Sequence, residues 1–306
     1  MNDRGALLEL LRELQSRDYR FVCVTPSTHQ TVLSRPQIGE PTLRDIFGWN
    51  RAFDQGQLDA ALFDLLRRAE CFDHVGERLR SRVRVASLGE ILSLHSSFPT
   101  DLADAVFFGP DTYRFARLVL ARLPQLQECE QIVEMGAGSG AVGILAAKLL
   151  PCAKVTLVDV NPTAIALAGI NAAAACVKVD CLVSDRIPDG CELVIANPPY
   201  MMDEARRAYR DGGGTFGGEL AVEWVGQALG SLAPGGKMLL YTGAAVVGGE
   251  MPVVESIREL CGNADASFAC EEIDPDVFGD ELSQPGYEDV ERIAAVGIEI
   301  TARKEA

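Results

Sequence analysis

Glu134-Met135-Gly136-Ala137-Gly138-Ser139-Gly140 stands between a short apolar run, Gln131-Ile132-Val133, and a helical stretch from Val142 to Leu150. Glycines in such a strand-to-helix turn permit the tight backbone path and let a ligand approach where a Cβ would collide. In open α/β sheets, ligands sit at the carboxyl ends of the strands, where this loop falls. Outward from it the alternation continues. Lys154 to Val158 reads as a strand, and Asn161-Pro162 then gives an N-cap with proline at the first helical position, opening a helix to about Ala175. Leu193 to Ala196 is a strand, Glu219 to Leu232 a helix, and Lys237 to Thr242 a strand after the Pro234-Gly235-Gly236 turn. Alternation of this kind predicts a parallel sheet covered by helices.

The strand after the glycine loop ends in Asp159, nineteen residues past Gly140. An acid there can accept both hydroxyls of a ribose. Gly138, Gly140 and Gly143 also spell a literal GxGxxG, so a nicotinamide or flavin dinucleotide is an alternative ligand. Glu134 weighs against it, because a carboxylate aimed at a pyrophosphate is repelled, whereas it suits a cationic ligand.

Asn197-Pro198-Pro199-Tyr200 follows the apolar strand Leu193-Val194-Ile195-Ala196 directly. The prolines lock the backbone, so that the Asn197 side-chain oxygen and the Pro198 carbonyl can accept both hydrogens of one NH₂ group. Tyr200 can stack on a planar substrate. With the glycine loop and Asp159, this motif resembles the NPPY branch of class I S-adenosylmethionine-dependent methyltransferases, the protein glutamine-N5 or methyltransferase small domain group. The resemblance covers about residues 110–245. It implies a Rossmann-like, mostly parallel seven-stranded sheet, with S-adenosylmethionine held by Glu134, Gly136, Gly138, Gly140, Asp159, Asp185, Asn197 and Thr112. Asn197, Pro198 and Tyr200 would then be the catalytic residues. Asp185 lies in Ser184-Asp185, where the family contacts the adenine amino group, or else only caps a turn. Thr112 lies in Phe108-Gly109-Pro110-Asp111-Thr112, similar to the family's Pro-x-Thr segment that closes over the cofactor, or else to a plain helix start. Methyl transfer needs positioning and exclusion of water; it requires no metal, nucleophilic cysteine or triad.

The loop from Arg210 to Glu219 holds five glycines, which predicts a mobile lid over the substrate nitrogen. Residues 1–125 depart from the helical bundle that precedes the catalytic domain in the glutamine methyltransferases. Leucines at 7, 8, 10, 11 and 14 give a first helix, Tyr19 to Thr25 a short strand, and Leu58 to Arg68 a second helix. Leu79 to Leu88 and Ile91 to His95 alternate around Gly89 as a hairpin. We therefore expect an α+β accessory domain over 1–125, winged-helix-like in outline, that recognises substrate, and a methyltransferase domain over 126–306. In the hairpin, period-2 spacing sets Arg78, Arg80, Arg82 and Arg84 on one strand face, either as a ridge for an anionic partner or as a solvated face paired with acids.

Charge and cysteine usage narrow the partners. Residues 1–125 carry 16 arginines and 16 acids, whereas residues 126–306 carry 12 basic and 28 acidic residues and so the whole net charge of −16. An acidic catalytic half repels long polyanions, so no extended nucleic-acid footprint is expected on it. The nine cysteines form no CxxC pair, and His29, His74 and His95 read as surface or packing residues. No apolar run is long enough to span a bilayer and the start of the chain is unlike a signal peptide, so the expectation is a cytoplasmic protein. The resemblance implies a substrate that is a planar amide or amine of a protein, nucleobase or small molecule. Two rivals stand: a lyase or cyclase that uses S-adenosylmethionine, and a nucleotide-binding oxidoreductase.

Overall fold

The computed structural model describes residues 3–203 and 205–303. The N-terminal part contains helices α1 (Arg4–Ser16), α2 (Pro26–Leu33) and α3 (Ala60–Arg68), then hairpin strands β1 (Phe72–Val75) and β2 (Arg78–Ser81), and β3 (Val83–Leu88) and β4 (Ile91–Ser96). After helix α4 (Pro110–Arg122) the alternation begins: β5 (Gln131–Met135), α5 (Ala141–Leu149), β6 (Lys154–Asp159), α6 (Pro162–Ala174), β7 (Asp180–Val183) and β8 (Cys191–Ala196). It continues through α7 (Glu219–Ser231), β9 (Leu232–Val246), α8 (Pro252–Asn263), β10 (Ser267–Asp274) and β11 (Arg292–Thr301).

The large sheet runs β10-β11-β9-β8-β5-β6-β7. Strands β9, β8, β5, β6 and β7 pair in parallel, and β11 inserts antiparallel between β9 and β10. This is the expected seven-stranded, mostly parallel, Rossmann-like sheet. Strand alternation sends Ile132, Leu193 and Ile195 into one core and Val133, Met135, Val194 and Ala196 into another, where Trp224 and Val225 of α7 and Ile257 of α8 cover them. Asn161 caps α6 as expected, accepting from the Thr163 amide at 2.9 Å, with Pro162 at the first position.

The N-terminal part departs from its sequence pattern in two places. Tyr19 to Thr25 is extended but is no strand. The Phe21 carbonyl accepts from the Ser87 amide of β3, the Phe21 amide donates to the Ser87 hydroxyl, and the Cys23 amide donates to the Tyr113 hydroxyl at 2.9 Å, so one backbone bond and two side chains stand in for a ladder. The four arginines do not share a face. The chain bends at Arg82, which separates β2 from β3, and the two hairpins form separate sheets. Arg78 meets Asp54 at 3.7 Å and Arg82 meets Asp73 at 2.6 Å, both exposed. Arg84 is buried, with Nε donating to the Ser96 carbonyl at 3.1 Å and its guanidinium over the Phe98 ring. His29 and His95 are buried beside it, and burial, followed by the Arg84 charge, holds both imidazoles below their usual pKa, that of His29 at about 4. They are packing residues.

Both parts share one core. α1 packs on α3 and on α6, and Leu7, Leu10 and Leu94 join the same apolar cluster as Leu157, Leu167 and Ala168. Helix α4, although before residue 126, packs on α5 and β9. Buried Asn171 of α6 fastens the junction. Its oxygen accepts from the Leu94 amide at 2.8 Å, and its nitrogen donates to the Leu94 and Ser139 carbonyls at 3.1 and 2.9 Å. Asn171→Ala strands three buried backbone groups, and we expect a loss of about 2–4 kcal/mol, read as a lower urea midpoint.

Candidate active site

Strand order reverses at β5, which has β6 on one side and β8 on the other, so the loops leaving β5 and β8 diverge over a crevice. A cavity of about 560 Å³ opens there. The glycine loop forms its floor. Gly136, Gly138 and Gly140 all adopt positive φ, +67°, +54° and +72°. A Cβ on Gly136 would lie 2.4 Å from Trp224, whereas one on Gly138 would enter open space, so at Gly138 the backbone itself is bared to a ligand.

The acids on either side organise this loop. Asp159 accepts from the Gly138 amide at 2.8 Å and, through its other oxygen, from the Asn161 amide at 2.8 Å. Each oxygen keeps a second lone pair, and the residue lines the cavity. Glu134 lies at the end of β5, buried, and accepts from the Gly143 amide at 2.8 Å. The Gly140 amide is taken by the Ala137 carbonyl at 2.7 Å. The amides of Gly138, Gly140 and Gly143 are therefore each taken within the chain, and two carboxyls, those of Glu134 and Asp159, border the cavity.

Burial pushes the Glu134 carboxyl up to about 8, against the lowering effect of the Gly143 amide. The native chain thus holds a proton that the unfolded chain releases above about 4.5, so this group's contribution to stability is lost as pH rises through that window. A cationic ligand stabilises the carboxylate and expels the proton. We expect binding of S-adenosylmethionine to release close to one proton near pH 7, measured by calorimetry in buffers of different ionisation enthalpy. Glu134→Gln should abolish that release.

Asn197 to Tyr200 leaves β8 directly. Asn197, Pro198 and Tyr200 all line the cavity, and among the described residues no donor is bonded to the Asn197 side chain or to the Pro198 carbonyl. Both acceptors are open. Tyr200 is fixed differently from a free stacking platform. Its ring rests where a Cβ on Gly243 of β9 would lie 2.2 Å away, its edge meets Phe278, and its hydroxyl donates to Asp111. The glycine-rich loop is packed onto this motif. Gly212 donates to the Met201 carbonyl at 2.9 Å, and a Cβ on Gly212 or Gly217 would strike the Pro199 or Tyr200 backbone. Those glycines serve close approach, which a count of glycines alone does not separate from mobility.

Thr112, in the first turn of α4, lines the cavity and accepts from the Gly109 amide at 3.4 Å. Asp185 stands exposed at the rim, and its backbone carbonyl accepts from Gln227 at 3.1 Å. Every residue expected to bind cofactor or substrate therefore borders one crevice except Gly140, where a Cβ would meet Leu157, Ala168 and Ile144 in the core, so that this glycine serves the turn and not the cavity. Sequence reasoning missed two contributions. Asp111 is a buried carboxylate bonded to Tyr200, Tyr241 and Arg114, and its sequence signal was no more than an acid in a helix's first turn. The N-terminal part supplies a wall, with Phe98, Pro99 and Phe107 lining the cavity and Phe107 stacked on Tyr209 at 5.8 Å.

Release factor glutamine methyltransferase of Koribacter versatilis (strain Ellin345) is 31% identical over 166 residues, 49% of this chain and 58% of that one. Ribosomal RNA large subunit methyltransferase G of Photobacterium profundum is 35% identical over 102 residues, 31% of this chain and 27% of that one. The chain spans about half the length of the curated relatives it matches. Among solved structures, wild-type Trm5b from Pyrococcus abyssi aligns with a TM-score of 0.47 at 19% identity, over 76% of this chain and 62% of that one. Residues 104–263, just over half of the chain, match the methyltransferase small domain and include the glycine loop, Asp159 and the Asn197–Tyr200 turn, so the chain belongs to that family.

Proposed function

We propose that the protein is an S-adenosylmethionine-dependent N-methyltransferase whose acceptor is a planar amide nitrogen of a protein. The observation that carries this reading is the pair of open acceptors, the Asn197 side-chain oxygen and the Pro198 carbonyl, on the same cavity as the Gly138–Asp159 recess. An amide nitrogen has its lone pair delocalised into the carbonyl. Two fixed acceptors on its N–H groups orient it and draw electron density back to nitrogen. S-adenosylmethionine, when bound, supplies an electrophilic methyl group on a sulfonium. Asp159 would hold its ribose, Glu134 would face its positive end, and Gly136, Gly138, Thr112 and Asp185 would border it. Phe98, Pro99 and Phe107 would exclude water and bring residues 1–125 into the substrate wall beside the 126–306 domain.

Protein is favoured over RNA by charge, because the catalytic half carries the whole −16. No described helix is long and apolar enough to cross a membrane, and the cysteines are all free, which fits a reducing cytoplasm. Incubating enzyme with methyl-labelled S-adenosylmethionine and cell extract tests the reading by mass spectrometry. We expect label on a protein amide and S-adenosylhomocysteine as co-product. Methylthioadenosine as co-product, or label confined to RNA, would overturn it.

A further inference from the structure

The first turn of α4 places two consecutive residues at different parts of the site. Thr112 lines the cavity. Asp111 turns inward, buried, and gathers three donors. Tyr200 donates to Oδ2, Tyr241 donates to Oδ1 at 2.8 Å, and Arg114 Nη1 donates to Oδ1 at 3.1 Å. Arg114 continues to Asp274 of β10 at 2.9 Å.

Burial raises the Asp111 pKa, and the Tyr200 hydrogen bond is the foremost of the contacts that oppose that rise. Arg114 also supplies a counter-ion, the α4 N-terminus a favourable dipole, and Tyr241 a buried hydroxyl. Two donors already share Oδ1, whereas Oδ2 serves Tyr200 alone among the bonds these residues make. Tyr200 ends the Asn197–Tyr200 turn, whose two prolines leave few soft torsions between its hydroxyl and the Asn197 carboxamide. An anchor at one end of so stiff a segment fixes the other.

We propose that Asp111 is a positioning residue for the acceptor turn: by accepting the Tyr200 hydroxyl it holds Asn197 and Pro198 in register with the cavity-lining first turn of α4. The proposal rests on the reading of Asn197–Tyr200 as the acceptor site. A network serving stability alone would treat the two tyrosines alike, since both donate to one carboxylate. A positioning role separates them, because Tyr241 lies on β9 and not on the turn.

Tyr200→Phe, Asp111→Asn and Tyr241→Phe test this in the full chain saturated with S-adenosylhomocysteine, by amide exchange over residues 200–203. Tyr200→Phe and Asp111→Asn should speed exchange there on the order of tenfold, the worth of one hydrogen bond to a charged acceptor. Tyr241→Phe should lower the melting temperature yet leave that exchange unchanged. With a labelled acceptor, the first two variants should lower kcat while the KM for S-adenosylmethionine stays within about threefold. Unchanged exchange in Tyr200→Phe, or equal acceleration in Tyr241→Phe, overturns the proposal. Should Asp111→Asn fail to fold, Tyr200→Phe decides the matter alone. If the wild-type enzyme methylates nothing, the reading of the acceptor site fails, while exchange still reports whether Asp111 fixes the turn.

Discussion

Asn197→Ala is expected to lower turnover by at least about a hundredfold and to leave cofactor affinity within about threefold. The carboxamide is half-buried at the cavity, and no described residue bonds to it, so its removal breaks nothing that the fold depends on. What is lost is one of two acceptors for the substrate N–H groups. The remaining Pro198 carbonyl can hold one hydrogen but leaves the nitrogen free to rotate about that bond. Single-turnover rates with labelled cofactor, beside calorimetry of S-adenosylhomocysteine binding, separate the two effects. A variant that keeps most of its activity would remove Asn197 from the acceptor role.

Asp159→Ala is expected to weaken S-adenosylmethionine and S-adenosylhomocysteine alike, by about 2–3 kcal/mol or more than thirtyfold. Part of that is the lost acceptor for two ribose hydroxyls. The rest comes from the loop, because the Gly138 and Asn161 amides both lose their partner. Asp159→Asn keeps one carbonyl acceptor and should fall between the two. Affinity unchanged in Asp159→Ala would take the ribose role away from this carboxylate.

The catalytic half was largely legible because its signals are local. A strand, a glycine turn and a helix N-terminus follow one another within about twenty residues, and the periodicities of 2.0 and 3.6 mark each side of the turn. The Asn197–Tyr200 turn was legible for a similar reason, since consecutive prolines after an apolar strand restrict the backbone by themselves. Partnerships between distant segments were not legible. Asp111 finds Tyr200 and Tyr241 at separations of 89 and 130 residues, and no pattern near Asp111 announces them. The Arg78–Arg84 run failed differently. Alternation was read through Arg82, but a bend there starts a new hairpin and sends Arg84 into the interior. Tyr19 to Thr25 had strand composition without a strand partner, because Ser87 and Tyr113 side chains satisfy its amides. The glycines at 212 and 217 were legible as glycines, but whether they confer freedom or permit contact is decided by the Pro199–Tyr200 backbone beside them.

The common core beneath α1, α6 and β4 bears on how such an enzyme can change its clientele. A front end joined by a linker can be traded for another without disturbing the chemistry behind it. Here the front end supplies both a wall of the cavity and apolar neighbours of the sheet's own helices, with Asn171 bonded across the seam. Exchange of that part as a cassette would uncover the face of α6 that α1 and β4 cover and leave Asn171 without its Leu94 partners. On the proposed reading, a new acceptor range would have to arise residue by residue along Phe98, Pro99 and Phe107, within a frame that selection for stability already holds in place.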